Sequence, residues 1–457
     1  MSAIAGYFHS QGVKVSGYDR TATGLTKELE QNGIAVHYDE NVDIIPKDVQ
    51  LVVYTPAVPK DHKELEYYQQ NGYKVVKRSD VLQMITESSF NICVAGTHGK
   101  TTITTMIAHL LRDSGYGCNA FLGGISVNYG TNFWSSEKNV CVIEADEYDR
   151  SFLKLGPDIA IVSAMDPDHL DIYGTAEAME KAFIDFSARL KADGLLLSKF
   201  GLKKGKELKA DRHWTYSLQN DSADVYARNI KMKNGSYEFD VMIKDKSIEK
   251  FLLNIGGMHN VENAVAAIAV ASSLEIDDDK IKDAISSFKG VKRRFEYIIP
   301  PSPRSGEGRG EVVFIDDYAH HPEELRALIS GAKSLFRERS CTIIFQPHLY
   351  TRTRDLADGF AEVLDMADEI ILLPIYPARE LPIEGVSSEM ILKKMKNENK
   401  KIMTKDELME WIKNVVGQET NNGGSGEVLI TAGAGDIDML VEPIRDLIER
   451  NMNSSGF

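Results

Sequence analysis

Asn91–Thr105, read as NICVAGTHGKTTITT, decides the fold. Ile92 to Ala95 are apolar or β-branched and predict a short buried parallel strand. Gly96, Thr97, His98 and Gly99 break it. Lys100, Thr101 and Thr102 follow, and then Met106, Ile107, Leu110 and Leu111 recur at helical spacing. A strand, a glycine loop and a helix start in succession aim backbone N–H groups and the helix dipole at an anion. A lysine there adds full charge to phosphate oxygens, and the next hydroxyl can ligate Mg²⁺. The expected guest is a nucleoside triphosphate, with Lys100 on an exposed loop, serving phosphate and not packing. The ordinary phosphate loop, G-x-x-x-x-G-K-[ST], would need glycine where Val94 stands, so this is the shorter form G-T-x-G-K-T.

The 457 residues predict about three domains. An apolar fraction of 43% is ample for packed cores, and a formal charge of −15 excludes a basic nucleic-acid or anionic-membrane footprint. Phosphate binding must therefore be local. Cys93, Cys118, Cys141 and Cys341 stand singly with no C-x-x-C pair, as reduced core residues do. No run of eighteen apolar residues and no signal-peptide layout is present, so the expectation is a soluble, cytoplasmic protein.

The N-terminal stretch alternates: a helix over 2–10, a strand over 13–18, a helix over 25–31, and strands near 34–36 and 51–54. Such alternation means a parallel sheet. Asp19, at a strand end, has two readings, a ligand to a ribose or uracil group or an ordinary turn aspartate. A helical pattern over 77–89 leads into the phosphate-loop strand, giving boundaries at 1–88, 89–297 and 298–457. The strand over 140–143 delivers Glu144, Asp146 and Glu147, and carboxylate oxygens at a strand end suit Mg²⁺. The strand over 159–164 ends in DPDHLD, which contains His169. Residues 214–250 read as a meander of short strands. A helix opens at Met258-His259-Asn260, with Asn260 and Asn263 on one face. Pro300–Gly310 and Gly417–Gly426 read as flexible loops. Beyond the first, strands over 312–315 and 343–345 end in DDYAHHP and QPHLYTRTR. Among these residues, two histidines, a tyrosine and two arginines suit a small zwitterion, whose carboxylate arginine can take bidentately. Strands over 370–373 and 428–431 complete this unit, the second leading into AGAGD, a turn expected to close on the nucleotide.

GTHGKTT, EADEYD, DPDHLD, GGMHNVENA, KRRFE, DDYAHHP and PHLYTRTRD, in this order across nearly the whole chain, resemble the motifs of the Mur ligases. The resemblance implies an α/β protein of three domains: a Rossmann-like UDP-binding domain, a central P-loop ATPase-like domain and a C-terminal Rossmann-like domain. It implies ATP-dependent joining of L-alanine to UDP-N-acetylmuramate through an acyl phosphate, in a monomer or weak homodimer. A member adding a recycled tripeptide is the rival within the family, and a nucleotide-binding regulatory protein the rival outside it. ATP would lie on Gly96 to Thr102, with His259 and Asn263 as nucleotide contacts and Arg294 or Arg293 near the phosphates. Thr101 and Glu144 would hold Mg²⁺, and His169 a second ion, for which Mn²⁺ is the better match to imidazole. Lys100, His169, Arg294 and His320 are the expected catalytic residues. Asp19, Asp317, Tyr318, His320, His348 and Arg352 are the expected substrate contacts. Lys181 is out of register for the carbamylated lysine of some sister ligases. Leu349 departs from the arginine common in the family, so Arg352 must carry more of the carboxylate recognition. Family members also place a strand and a G-x-G-G-x-G loop before the position of Met1-Ser2; that element is expected to be missing here, with weakened binding of the UDP substrate.

Overall fold

The computed structural model describes residues 1–55, 57–59, 61–148, 150–167, 170–301, 312–378, 380–416 and 426–454. His169 and most of the two predicted flexible loops lie outside the described residues. The chain divides into two compact units: Met1–Arg228 with Asp240–Glu249 and Glu262–Ser287, and Asn229–Phe239 with Lys250–Val261 and Phe288–Phe457.

The first unit is built on the phosphate-loop strand, Phe90–Ala95. It lies between Val140–Glu144 and Ile159–Val162, parallel to both, with Ile92 level with Val142 and Ile159. Leu195–Lys199 and Arg212–Ser217 extend the sheet on one side, Asn119–Phe121 and Phe133–Trp134 on the other. Ile92 to Ala95 are fully buried, as a parallel strand covered on both faces requires. Because the strands run the same way, the loop after Ala95, the acidic turn after Glu144 and Ser163 share one edge. Helix Lys100–Asp113 buries Thr102 to Leu111, packing on this sheet and on helix Asp278–Ser287. Toward the N-terminus the expected helices appear as Ser2–Ser10 and Gly24–Gln31, but the strands form two separate parallel pairs, Ser16–Tyr18 with Ala35–His37 and Val52–Tyr54 with Val75–Lys77. Helix Lys63–Gln70 and strand Val75–Lys77 escape the sequence pattern. KELEYYQQ buries only Leu65 and Tyr68 among its apolar residues, too few to register as a stripe.

The predicted meander becomes four strands, Arg212–Ser217, Val225–Lys233, Ser236–Ile243 and Lys246–Leu253, whose residues are divided between the units. The second unit carries a six-stranded sheet, in the order Glu296–Ile299, Val312–Asp317, Glu427–Ala432, Ser340–Phe345, Glu369–Leu372, Lys400–Ile402. Its first pair is antiparallel and the rest are parallel. Lys400–Ile402 gives no strand signal in sequence, because its lysines, natural on an edge strand, hide the apolar pattern. All four cysteines are free and buried, as expected. Among the described residues no helix is long and apolar enough to cross a membrane.

Candidate active site

The phosphate loop is shaped by its two glycines. Gly96 has φ +138°, and a Cβ there would stand 2.2 Å from Ser163 Oγ and 2.8 Å from Ala164 N. Gly99, at φ +81°, heads the helix in the left-handed conformation. Thr97 N donates to Ala164 O at 3.2 Å, and Asp166 N donates to Thr97 Oγ1 at 3.2 Å, so the loop is pinned to the neighbouring strand end. The amides of Lys100, Thr101 and Thr102 belong to the first helical turn, where no intrahelical acceptor exists.

Lys100 departs from expectation. Its side chain is only 16% exposed, and Nζ donates to Gly96 O at 2.7 Å and to Glu147 Oε1 at 2.6 Å. The parallel pairing that sets Val94 level with Glu144 brings the acidic turn to the loop. Thr101 Oγ1 donates to Glu144 Oε1 at 3.1 Å, and Gly123 N donates to Glu144 Oε2 at 3.0 Å. Burial raises both carboxyls above the ordinary range, and the Lys100 charge opposes this in each. A hydroxyl bonded to a desolvated carboxylate is a donor set that fits a hard divalent cation. The N–H-lined loop with its lysine fits the phosphates of a nucleotide.

Asn263 Oδ1 lies 3.0 Å from where a Cβ on Gly99 would stand, which places this side chain beside the loop. In the second unit, Asn260 Nδ2 donates to Gly256 O at 2.6 Å, and the His259 ring lies against Gly257. Lys181, out of register by sequence, pairs at the surface with Asp185, 3.1 Å away. Exposed Asp19 bonds the amide of Thr21 at 3.0 Å, the geometry of a strand-end turn.

The adjacent arginines have different settings. Arg293, at φ +60°, turns inward: Nε donates to Asp316 Oδ2 at 3.1 Å and Nη2 to Gly433 O at 2.5 Å. Arg294 is exposed. At the carboxyl ends of Val312–Asp317 and Ser340–Phe345, His320 and His348 approach to 6.2 Å between ring centres. Arg352 Nη1 lies 3.4 Å from His348 Nδ1, and His320 packs edge-on against Tyr318. Burial pulls both imidazoles below their ordinary pKa, so both are neutral near pH 7. Tyr376, stacked on His348 at 5.8 Å, was not anticipated; its only sequence signal was its place just past a strand end. The AGAGD turn packs onto Gln346, since a Cβ on Gly433 would meet Gln346 O at 2.7 Å.

Asp317 is committed to the backbone. Its oxygens accept from Phe295 N and Ala319 N, each at 2.7 Å, and burial raises the carboxyl to about 7. Asp317→Asn is expected to cost about 1–3 kcal/mol in urea denaturation, because an amide nitrogen would face one of these N–H donors. Unchanged stability would show that the pair contributes nothing.

The phosphate loop and the carboxylates at the neighbouring strand end define a nucleotide-binding α/β protein. Residues 1–89 match the Mur ligase family catalytic domain, 94–271 the Mur ligase middle domain, and 293–435 the Mur ligase glutamate ligase domain. The chain belongs to the Mur ligase family. It is 45% identical over 455 residues to the UDP-N-acetylmuramate–L-alanine ligase of Parabacteroides distasonis, covering 98% of this chain and 95% of that one. Against the ligase of the same name from Porphyromonas gingivalis it is 44% identical over 456 residues, covering 98% and 96%. The crystal structure of UDP-N-acetylmuramate-alanine ligase MurC from Thermotoga maritima superposes with a TM-score of 0.78 at 28% identity, covering 99% of this chain and 97% of that one. This match bears out the expected three-domain α/β fold.

Proposed function

We propose that the chain joins L-alanine to the carboxylate of UDP-N-acetylmuramate, consuming ATP, in the synthesis of peptidoglycan precursor. The relatives named above support the substrates. The observation that carries the chemistry is the phosphate loop, with Thr101 bonded to Glu144 at the next strand end, 3.1 Å apart.

A carboxylate is inert toward an amine in water. Transfer of the γ-phosphoryl group to it makes an acyl phosphate and ADP; attack by the alanine amine then breaks the acyl–phosphate bond, releasing phosphate and a proton. The loop over 96–102 binds the phosphates through amides other than Thr97 N, which is given to Ala164 O, and Lys100 stabilises the transferring group. Thr101 and Glu144 would hold Mg²⁺, and His169 a second ion; bound there, the metal would supply charge neutralisation to the phosphoryl oxygens. Asn263 and His259 contact the nucleotide. Arg294 is the arginine of its pair free to reach phosphate, because Arg293 is bonded to Asp316. His320, neutral near pH 7, can accept the amine proton, while His348, Arg352 and Tyr318 orient the amino acid. Asp19 completes the substrate side, Asp317 serving it only through the backbone it holds at Phe295 and Ala319, and the partition is 1–88, 89–297 and 298–457 in a cytoplasmic enzyme.

Phosphate release measured across a panel of amino acids and the murein tripeptide tests this reading. Release must require UDP-N-acetylmuramate together with alanine. Release that requires UDP-N-acetylmuramate with the tripeptide in place of alanine would move the chain to the recycling activity, and release from ATP alone would point to a regulatory protein. Arg352→Lys is expected to raise the KM for alanine by roughly tenfold, because an ammonium cannot reproduce the bidentate fork. Steady-state kinetics at saturating ATP check this, and an unchanged KM removes Arg352 from the site.

A further inference from the structure

We propose that Glu147 is a positioning residue for the phosphate-loop lysine, fixing the Lys100 ammonium at the mouth of the loop, and that the Tyr173 hydroxyl in turn fixes Glu147. The proposal rests on the functional reading above for what Lys100 does, but its geometry stands alone. An ammonium has three donors. Two are spent, on Gly96 O at 2.7 Å and Glu147 Oε1 at 2.6 Å, which leaves one to meet a phosphate.

Lysine is a point charge on a flexible four-carbon stem, so its direction must come from its partners. A carboxylate 1% exposed supplies it without recruiting the Thr101–Glu144 pair, which engages a different side chain. Removing the lysine from Glu147 would strand a charge in a desolvated position. The ammonium is therefore expected to stay anchored and to turn its third donor to the nucleotide. Glu147 is itself held by its main chain: its carbonyl accepts from Arg150 N at 3.0 Å and from Tyr173 OH at 2.6 Å, and Tyr173 is 5% exposed. The phosphate loop, the acidic turn and the short helix Leu170–Tyr173 thus form one bonded chain.

The test labels the full-length, nucleotide-free protein with acetic anhydride and follows acetylation of Lys100 by peptide mass spectrometry. Lys181, 72% exposed, serves as internal reference. In Glu147→Gln the loss of a charge-assisted bond is expected to speed Lys100 labelling about tenfold. In the same variant kcat should fall by about tenfold or more, with the KM for ATP held within about threefold, since positioning acts on the transition state. Tyr173→Phe should speed labelling less, by about threefold, a neutral bond being weaker. If Glu147→Gln does not fold, as read by circular dichroism, Tyr173→Phe carries the test. Lys100 labelling within twofold of the parent in the folded variant overturns the proposal, whatever the kinetics. Labelling needs neither substrate nor turnover, so a parent protein without ligase activity would overturn the functional reading and leave this one standing.

Discussion

Lys100→Ala is expected to lower kcat by about a thousandfold, the scale of losing a charged donor at a transferring group. It is also expected to destabilise the protein, contrary to what an exposed loop lysine would imply. Glu147, 1% exposed, would lose the ammonium 2.6 Å away, and breaking a buried pair from one side costs about 3–5 kcal/mol when the remaining group stays charged. The sign with pH follows. Burial already raises the Glu147 carboxyl, with Lys100 opposing, and deleting the lysine raises it further. A carboxyl whose folded-state pKa is raised binds its proton more tightly in the folded protein, which favours folding at low pH and loses that support as pH rises through the folded value. The deficit in melting temperature should therefore be largest at alkaline pH and shrink toward acid. Thermal melts at two pH values, alongside phosphate release, measure both effects. Residual turnover within tenfold of the parent would remove Lys100 from the catalytic group, and a pH-independent deficit would remove the charged-pair account.

Gly96→Ala should be nearly as damaging, for a steric reason. At φ +138° an L side chain is strained by about 1–3 kcal/mol before any contact is counted. The added Cβ would also stand 2.2 Å from Ser163 Oγ and 2.8 Å from Ala164 N. The hydroxyl can rotate away, but the backbone amide, two residues past a central strand, cannot yield without moving the strand end. The loop must shift instead, and its amides lose their aim. A fluorescent ATP analogue is expected to bind at least about tenfold more weakly to this variant. Adding Ser163→Gly should restore only part of the loss, because the clash with Ala164 N remains. Parent-like affinity in the single variant would show that the phosphates lie elsewhere.

Much of this protein was legible in one dimension. The strand–loop–helix at Asn91–Thr105 could be read because its causes are local: contiguous apolar residues make a doubly covered strand, and two glycines supply backbone angles other residues avoid. Strand ends then indicated where Glu144 would meet the phosphate loop in one sheet and, separately, where His320 and His348 would meet in the other, since a parallel sheet collects its carboxyl ends on one edge. The motif order also sufficed for the family.

Tertiary structure alone decided which groups are already engaged. Lys100 and Glu147 are 47 positions apart, and only the parallel register of two strands brings them to 2.6 Å. Arg293 and Arg294 are chemically identical neighbours, yet one is bonded to Asp316 and the other reaches solvent. Asp317 reads in sequence as a ligand and is held by two backbone amides, while Tyr376, barely marked in sequence, stacks on His348. The reason is common to all four. Backbone conformation and apolar periodicity are properties of consecutive residues, whereas the partner of a charge or ring is set by which distant segments the sheet order makes neighbours. The sequence by itself determined what kinds of side chain stand at each strand end; packing determined which remain available for a substrate.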